Sequence, residues 1–125
     1  SRLAVSALMI EAAMMDGELT DDETFTILQL LCNYFDLTDD ESKALFKEAS
    51  NIQGSSNQLI HLTRAIKDGY SEEDRVALIE MMWKVVQADG IEDNFETNLM
   101  RRIAGLLYVS DRDSGLARKR ARNKL

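Results

Sequence analysis

No proline interrupts this chain of 125 residues. Proline is the one residue that removes a helical hydrogen bond and clashes with the preceding turn, so nothing of that strength opposes long helices here. Ala, Leu, Met, Glu, Lys and Arg dominate, whereas β-branched residues are sparse and scattered. Helix starts are marked by Ser, Thr or Asp followed three residues later by an acid, a pairing that satisfies two orphan backbone donors. The pattern recurs as Thr20 with Glu23, Thr38 with Glu41, Ser71 with Asp74, Asp93 with Glu96 and Ser110 with Asp113. Gly17, Gly69 and Gly90 stand where helices are expected to stop. The reading is all-α: about seven helices in a compact bundle, over 2–15, 21–36, 39–50, 56–68, 72–88, 94–108 and 111–122. Ile79, Met82, Trp83 and Val86 have the spacing of a buried stripe, and so do Phe25, Leu28, Cys32 and Phe35. Cys32 is expected in the core, and His61, the only histidine, on the surface or between helices.

The chain carries two related halves. Residues 7–24 align on 80–97 without gaps, matching Met9 with Met82, Asp16 with Asp89, Gly17 with Gly90, Glu23 with Glu96 and Thr24 with Thr97. After one deletion the match resumes, setting Leu37-Thr38-Asp39 on Val109-Ser110-Asp111 and Ser42 on Ser114. We therefore expect a single domain over 1–125 with pseudo-symmetric halves at about 1–50 and 72–122. A Gly/Ser/Asn/Gln-rich linker at about 51–58 joins them. Repeated units of this kind bury a shared core.

The repeated element is Asp-Gly-x5-Glu. Its spacing equals the second half of an EF-hand loop, but the positions of the first two ligands fall on Ala12 and Met14, and on Val85 and Gln87. Ala12, Met14 and Val85 offer no hard oxygen, so an EF-hand is rejected. Each half still supplies two carboxylates around a turn, and two facing halves would supply four. Glu23 precedes Ile27 and Leu31 by one and two turns, and Glu96 stands likewise before Met100 and Ile103–Ala104. Both glutamates therefore lean towards apolar stripes. A carboxylate withdrawn from water costs several kcal/mol unless paired, capped or metal-bound. Two explanations stay open, a cation site and plain helix capping, and a capping box does not by itself require the repeated Asp.

The stretch Glu11-Ala-Ala-Met-Met-Asp16-Gly17-Glu18-Leu19, with Trp83-Lys-Val-Val-Gln-Ala-Asp89-Gly90 and Glu96, resembles the tellurite-resistance TerB-like family over roughly residues 3–122. The resemblance implies an all-α fold of about seven helices, an acidic cluster proposed to bind metal, and links to stress response and membrane-associated assemblies. Carried onto this chain, the acidic positions are Glu11, Asp16, Glu23, Asp89 and Glu96. Lys84 stands where the repeat would place a partner to Glu11, so the implied site is asymmetric.

Charge and composition narrow the function classes. Residues 111–125 carry six Lys/Arg against two Asp/Glu, and residues 1–110 carry nine against twenty. An acidic body disfavours nucleic acid and favours cations or basic partners. The basic tail suits a helix C-terminus, with peripheral contact to an anionic membrane surface left open. No apolar run approaches the ~20 residues of a membrane span, and a single Cys32 fits a reducing compartment. The localisation expected is cytoplasmic. No nucleophile with a base and no phosphate-cradling glycine loop is present, which puts a carboxylate-based hydrolase last. The leading expectation is a cation-binding helical interaction module with a protein partner, using calcium, magnesium or manganese because every candidate ligand is a carboxylate. The alternative is a metal-free helical adaptor docking to membrane-associated or chaperone machinery.

Overall fold

A computed structural model describes residues 2–14, 17–52, 58–88 and 94–123. Among these residues, seven helices and no strand are found: α1 (Arg2–Ala13), α2 (Asp21–Phe35), α3 (Asp39–Ser50), α4 (Gln58–Gly69), α5 (Glu72–Val86), α6 (Asn94–Leu106) and α7 (Asp111–Asn123). The elements follow the sequence expectation closely. The main differences are that α1, α5 and α6 each stop two residues early and that the described part of α4 starts two residues late.

Two helices make the centre. From Ala4 to Ala13, α1 is buried at every residue but Glu11, and α5 is buried at Leu78, Ile79, Met81, Met82, Trp83, Val85 and Val86. A helix apolar on nearly all sides belongs inside a bundle, and α1 and α5 pack on each other. The outer helices are arranged reciprocally around them. α1 carries α2 and α3, α5 carries α6 and α7, and the crossed contacts α2–α5 and α1–α6 complete the set. α4 lies against α1 and α6.

Local chemistry explains the ends. Thr20 and Thr38 form complete capping boxes, each hydroxyl accepting the N–H of Glu23 or Glu41 while that glutamate's carboxylate accepts the threonine N–H. Ser71 and Ser110 accept the Asp74 and Asp113 amides at 3.2 and 3.1 Å. The aspartate side chain, one carbon shorter than glutamate, is the physical reason to expect no equal return bond there. Asp93 lies outside the described residues, as do Gly90 and the central part of the expected linker. Gly17 has φ +88° and its amide reaches the Met14 carbonyl, so it does take the turn conformation that glycine permits. Gly69 remains the last helical residue of α4.

The remaining left-handed turns were not expected. α2 and α6 are closed by Asp36 (φ 55°) and Tyr108 (φ 59°). In both, the following apolar residue donates back five positions, Leu37 to the Cys32 carbonyl at 3.0 Å and Val109 to the Ala104 carbonyl at 2.8 Å. This is the Schellman arrangement that satisfies orphan helix carbonyls, and a Thr or Ser cap starts the next helix immediately.

One stripe was misread. Ile79, Met82, Trp83 and Val86 are buried, but Phe25 is 62% exposed and Leu28, Cys32 and Phe35 are only half-buried. α2 instead buries Glu23, Ile27 and Leu31. Glu23 disguises that face, because a carboxylate breaks an apolar pattern unless the capping box satisfying it is counted. Cys32 is accordingly no core residue; its thiol points to the Thr38 carbonyl and the Asp39 carboxylate, both at 3.8 Å.

Candidate acidic site and flanking clefts

Of the three expected ligands among the described residues, Glu11, Glu23 and Glu96, the bundle encloses Glu23 and Glu96, at 1% and 5% exposure. Each sits in the first turn of its helix, α2 or α6, above residues with no exposure: Ile27 and Leu31, and Met100, Ile103 and Ala104. The lean towards apolar stripes is therefore real. Glu23 Oε1 accepts the Thr20 amide at 2.9 Å and the Thr20 hydroxyl at 3.0 Å, bonds of the kind that make burial of a carboxylate tolerable. Glu11 is exposed on α1. Asp16 and Asp89 lie outside the described residues. Among the described residues, no three acidic, histidine or cysteine side chains come together as a metal would require. Lys84, standing where the repeat would place a second Glu11, approaches Glu80 at 4.0 Å one turn back on α5.

The same helix-turn-helix layout creates a cleft in each half. Phe25, Leu28, Gln29, Cys32 and Asn33 of α2 face Asp39, Ser42 and Lys43 of α3 across a cavity of about 470 Å³. Thr97 and Arg101 of α6 face Asp111, Ser114, Gly115 and Arg118 of α7 across about 180 Å³, with Trp83 in the lining. The register that sets Leu37 on Val109 also sets Gln29 on Arg101 and Lys43 on Gly115. Trp83 donates its indole N–H to the Ser114 hydroxyl at 3.2 Å, and the Arg118 guanidinium lies 4.9 Å from its ring. Arg120 binds Glu80 of α5. Two cations of the basic tail thus fasten α7 to α5.

The sequence reading missed Phe25 and the α2–α3 cleft. Phe25 was assigned to a core stripe, although its place between Asp22 and Gln29 on one helix face was a signal against burial. His61 is exposed on α4, so of the two positions expected for it, on the surface or between helices, the surface is the one found. No helix among the described residues is long and apolar enough to cross a membrane. Neither a curated protein nor a solved structure matches the chain. A family model described as tellurite resistance protein TerB matches residues 2–119. That span runs from the start of α1 into α7 and contains both Asp-Gly-x5-Glu elements, and the chain belongs to the TerB family.

Proposed function

We propose that this chain is a non-enzymatic, cation-binding interaction module of bacterial stress physiology, in which Asp16, Glu23, Asp89 and Glu96, with Glu11, hold one hard divalent ion between the halves. The observation that carries this reading is the burial of both repeat-matched glutamates, Glu23 and Glu96, at the starts of corresponding helices. Four or five carboxylates gathered together repel one another without a cation. Oxygen-only donors suit calcium, magnesium or manganese better than zinc or copper. The ion would tie the turns after α1 and α5 together and fix an acidic surface for a protein partner.

The completed capping box at Glu23 favours a second reading, a metal-free adaptor in which the buried glutamates only cap α2 and α6. Thermal melting separates the two. On the first reading, calcium, magnesium or manganese raises the melting temperature of metal-stripped protein, by the equivalent of about 2.7 kcal/mol at one hundred times the dissociation constant. The double change Glu23→Gln/Glu96→Gln then removes the ion response and stabilises the ion-free fold. A melting curve indifferent to all three ions, with a destabilised double variant, leaves the adaptor reading standing.

A further inference from the structure

The α2–α3 cleft is built unlike its counterpart. Along α2, Asp21, Phe25, Leu28 and Cys32 fall on one helix face at successive turns. The stripe therefore begins with an acid, runs through apolar residues, and meets Asp39 at the start of α3. Phe25 lines the cavity and is 62% exposed. Of the other large exposed hydrophobics, Tyr108 has the Lys67 ammonium 4.6 Å from its ring. Between residues 21 and 50, eight carboxylates stand against two lysines, and Asp21, Asp22, Asp36, Asp39, Asp40 and Glu41 are all exposed. The one cation lining the cleft, Lys43, has a long stem that can lie along apolar surface with its head in water. In the other half the smaller cleft of about 180 Å³ is lined by two arginines, Arg101 and Arg118, with Asp111, and by Trp83. Apolar floor and acidic ends thus occur together in one half.

We propose that the α2–α3 cleft is the docking groove for a cationic amphipathic helix of a protein partner. Its apolar residues seat on Phe25, Leu28 and Cys32, and its lysines or arginines face Asp21 and Asp22 at one end and Asp39 and Asp40 at the other. Helix-in-groove recognition of this kind combines a few apolar anchors with charge-guided orientation. The proposal names the partner chemistry for the interaction part of the function proposed above and rests on that part alone. The cation is not needed, since no residue of the cleft is among the five expected ligands.

The test is titration of the full-length chain, in EDTA, with a fluorescent synthetic Leu/Lys amphipathic helical peptide and with its Leu/Glu counterpart. The Leu/Lys peptide binds one to one, and Phe25→Ser weakens it by about tenfold or more without moving the melting temperature. Asp22→Asn/Asp40→Asn weakens it in a salt-dependent manner, and Leu116→Ser, at the exposed apolar residue on α7, leaves it unchanged. Equal binding by the Phe25→Ser variant overturns the proposal, as does equal binding of the Leu/Glu peptide. A chain that self-associates through Phe25 and ignores the peptide overturns it too. Because EDTA is present throughout, failure here leaves the melting test on Glu23 and Glu96 intact.

Discussion

Where α6 meets α7, the space between the helices is filled from α5 by Trp83, whose indole is hydrogen-bonded to Ser114 and stacked under Arg118. Where α2 meets α3, the repeat places Ile10 at the Trp83 position and Phe46 at the Arg118 position. Ile10 is buried at 2% exposure and Phe46 is half-buried, but an aliphatic side chain cannot reach as far as an indole. Ile10 does not line the α2–α3 cleft, which measures about 470 Å³ against about 180 Å³ for the cleft that Trp83 lines. The turn that leads into each pair is the same: a left-handed residue, an apolar residue donating back to the helix, and a Thr or Ser cap. Turn geometry persists between the halves because backbone hydrogen bonds dictate it. Cleft contents differ because single side chains can open or close them without disturbing that backbone.

The largest expected contrast follows from this difference. Trp83→Ala should lower unfolding free energy by about 3–5 kcal/mol, the usual cost of emptying a buried aromatic site. Phe25→Ala, in the open cleft, should change it by no more than about 0.5 kcal/mol. Denaturant melts of both variants measure this directly, and comparable losses would mean that the two clefts are not functionally distinct.

A smaller contrast lies in the two left-handed turns. Asp36→Gly should be stabilising by up to about 1 kcal/mol, because glycine adopts positive φ without the Cβ clash. Tyr108→Gly relieves the same strain but forfeits the Lys67 contact over its ring, worth about 0.5–1 kcal/mol at an exposed site. The second substitution should therefore come out close to neutral. A clear gain at Tyr108 would show that the aromatic contact contributes nothing to closing α6.

The smallest effect concerns acid sensitivity. The Glu41 carboxyl is held below its ordinary value by the Thr38 amide first, and then by the Thr38 hydroxyl. A depressed folded-state value means that its contribution is present above the unfolded-state value and is lost as pH falls through the folded one. Stability of the wild-type chain should thus decline on acidification through the lower carboxylate range, and Glu41→Gln should flatten part of that decline. Thermal melts of the wild type and of Glu41→Gln across pH measure this, and identical pH slopes would mean that the Thr38 cap contributes nothing to acid sensitivity.

Much of this fold is local and so was legible from the residues. Caps such as Thr20 with Glu23 act within four residues, Gly17 fixes its own turn, and the Ile79–Val86 stripe needs only the helical period. The repeat carried further information, since it placed Glu23 and Glu96 at corresponding helix starts before any burial was known, and both are buried. The gathering of the five carboxylates stays a proposal, because Asp16 and Asp89 lie outside the described residues and Glu11 is exposed.

What the sequence determined by itself is therefore the set of helices, most of their boundaries and the duplicated motif, all consequences of short-range hydrogen bonding and periodicity. Tertiary structure decided which of two apolar stripes on α2 faces inward, since helical spacing admits both Phe25–Leu28–Cys32 and Ile27–Leu31 until α1, α3 and α5 are packed against them. It also decided that Tyr108 closes α6, because an exposed tyrosine at positive φ is held by the Val109 bond and by Lys67 from α4. And it decided that one cleft is open and the other filled, because Trp83 reaches Ser114 from a helix thirty-one residues away in sequence. Burial is a property of neighbours, and the neighbours of a helix are chosen only when the whole chain has packed.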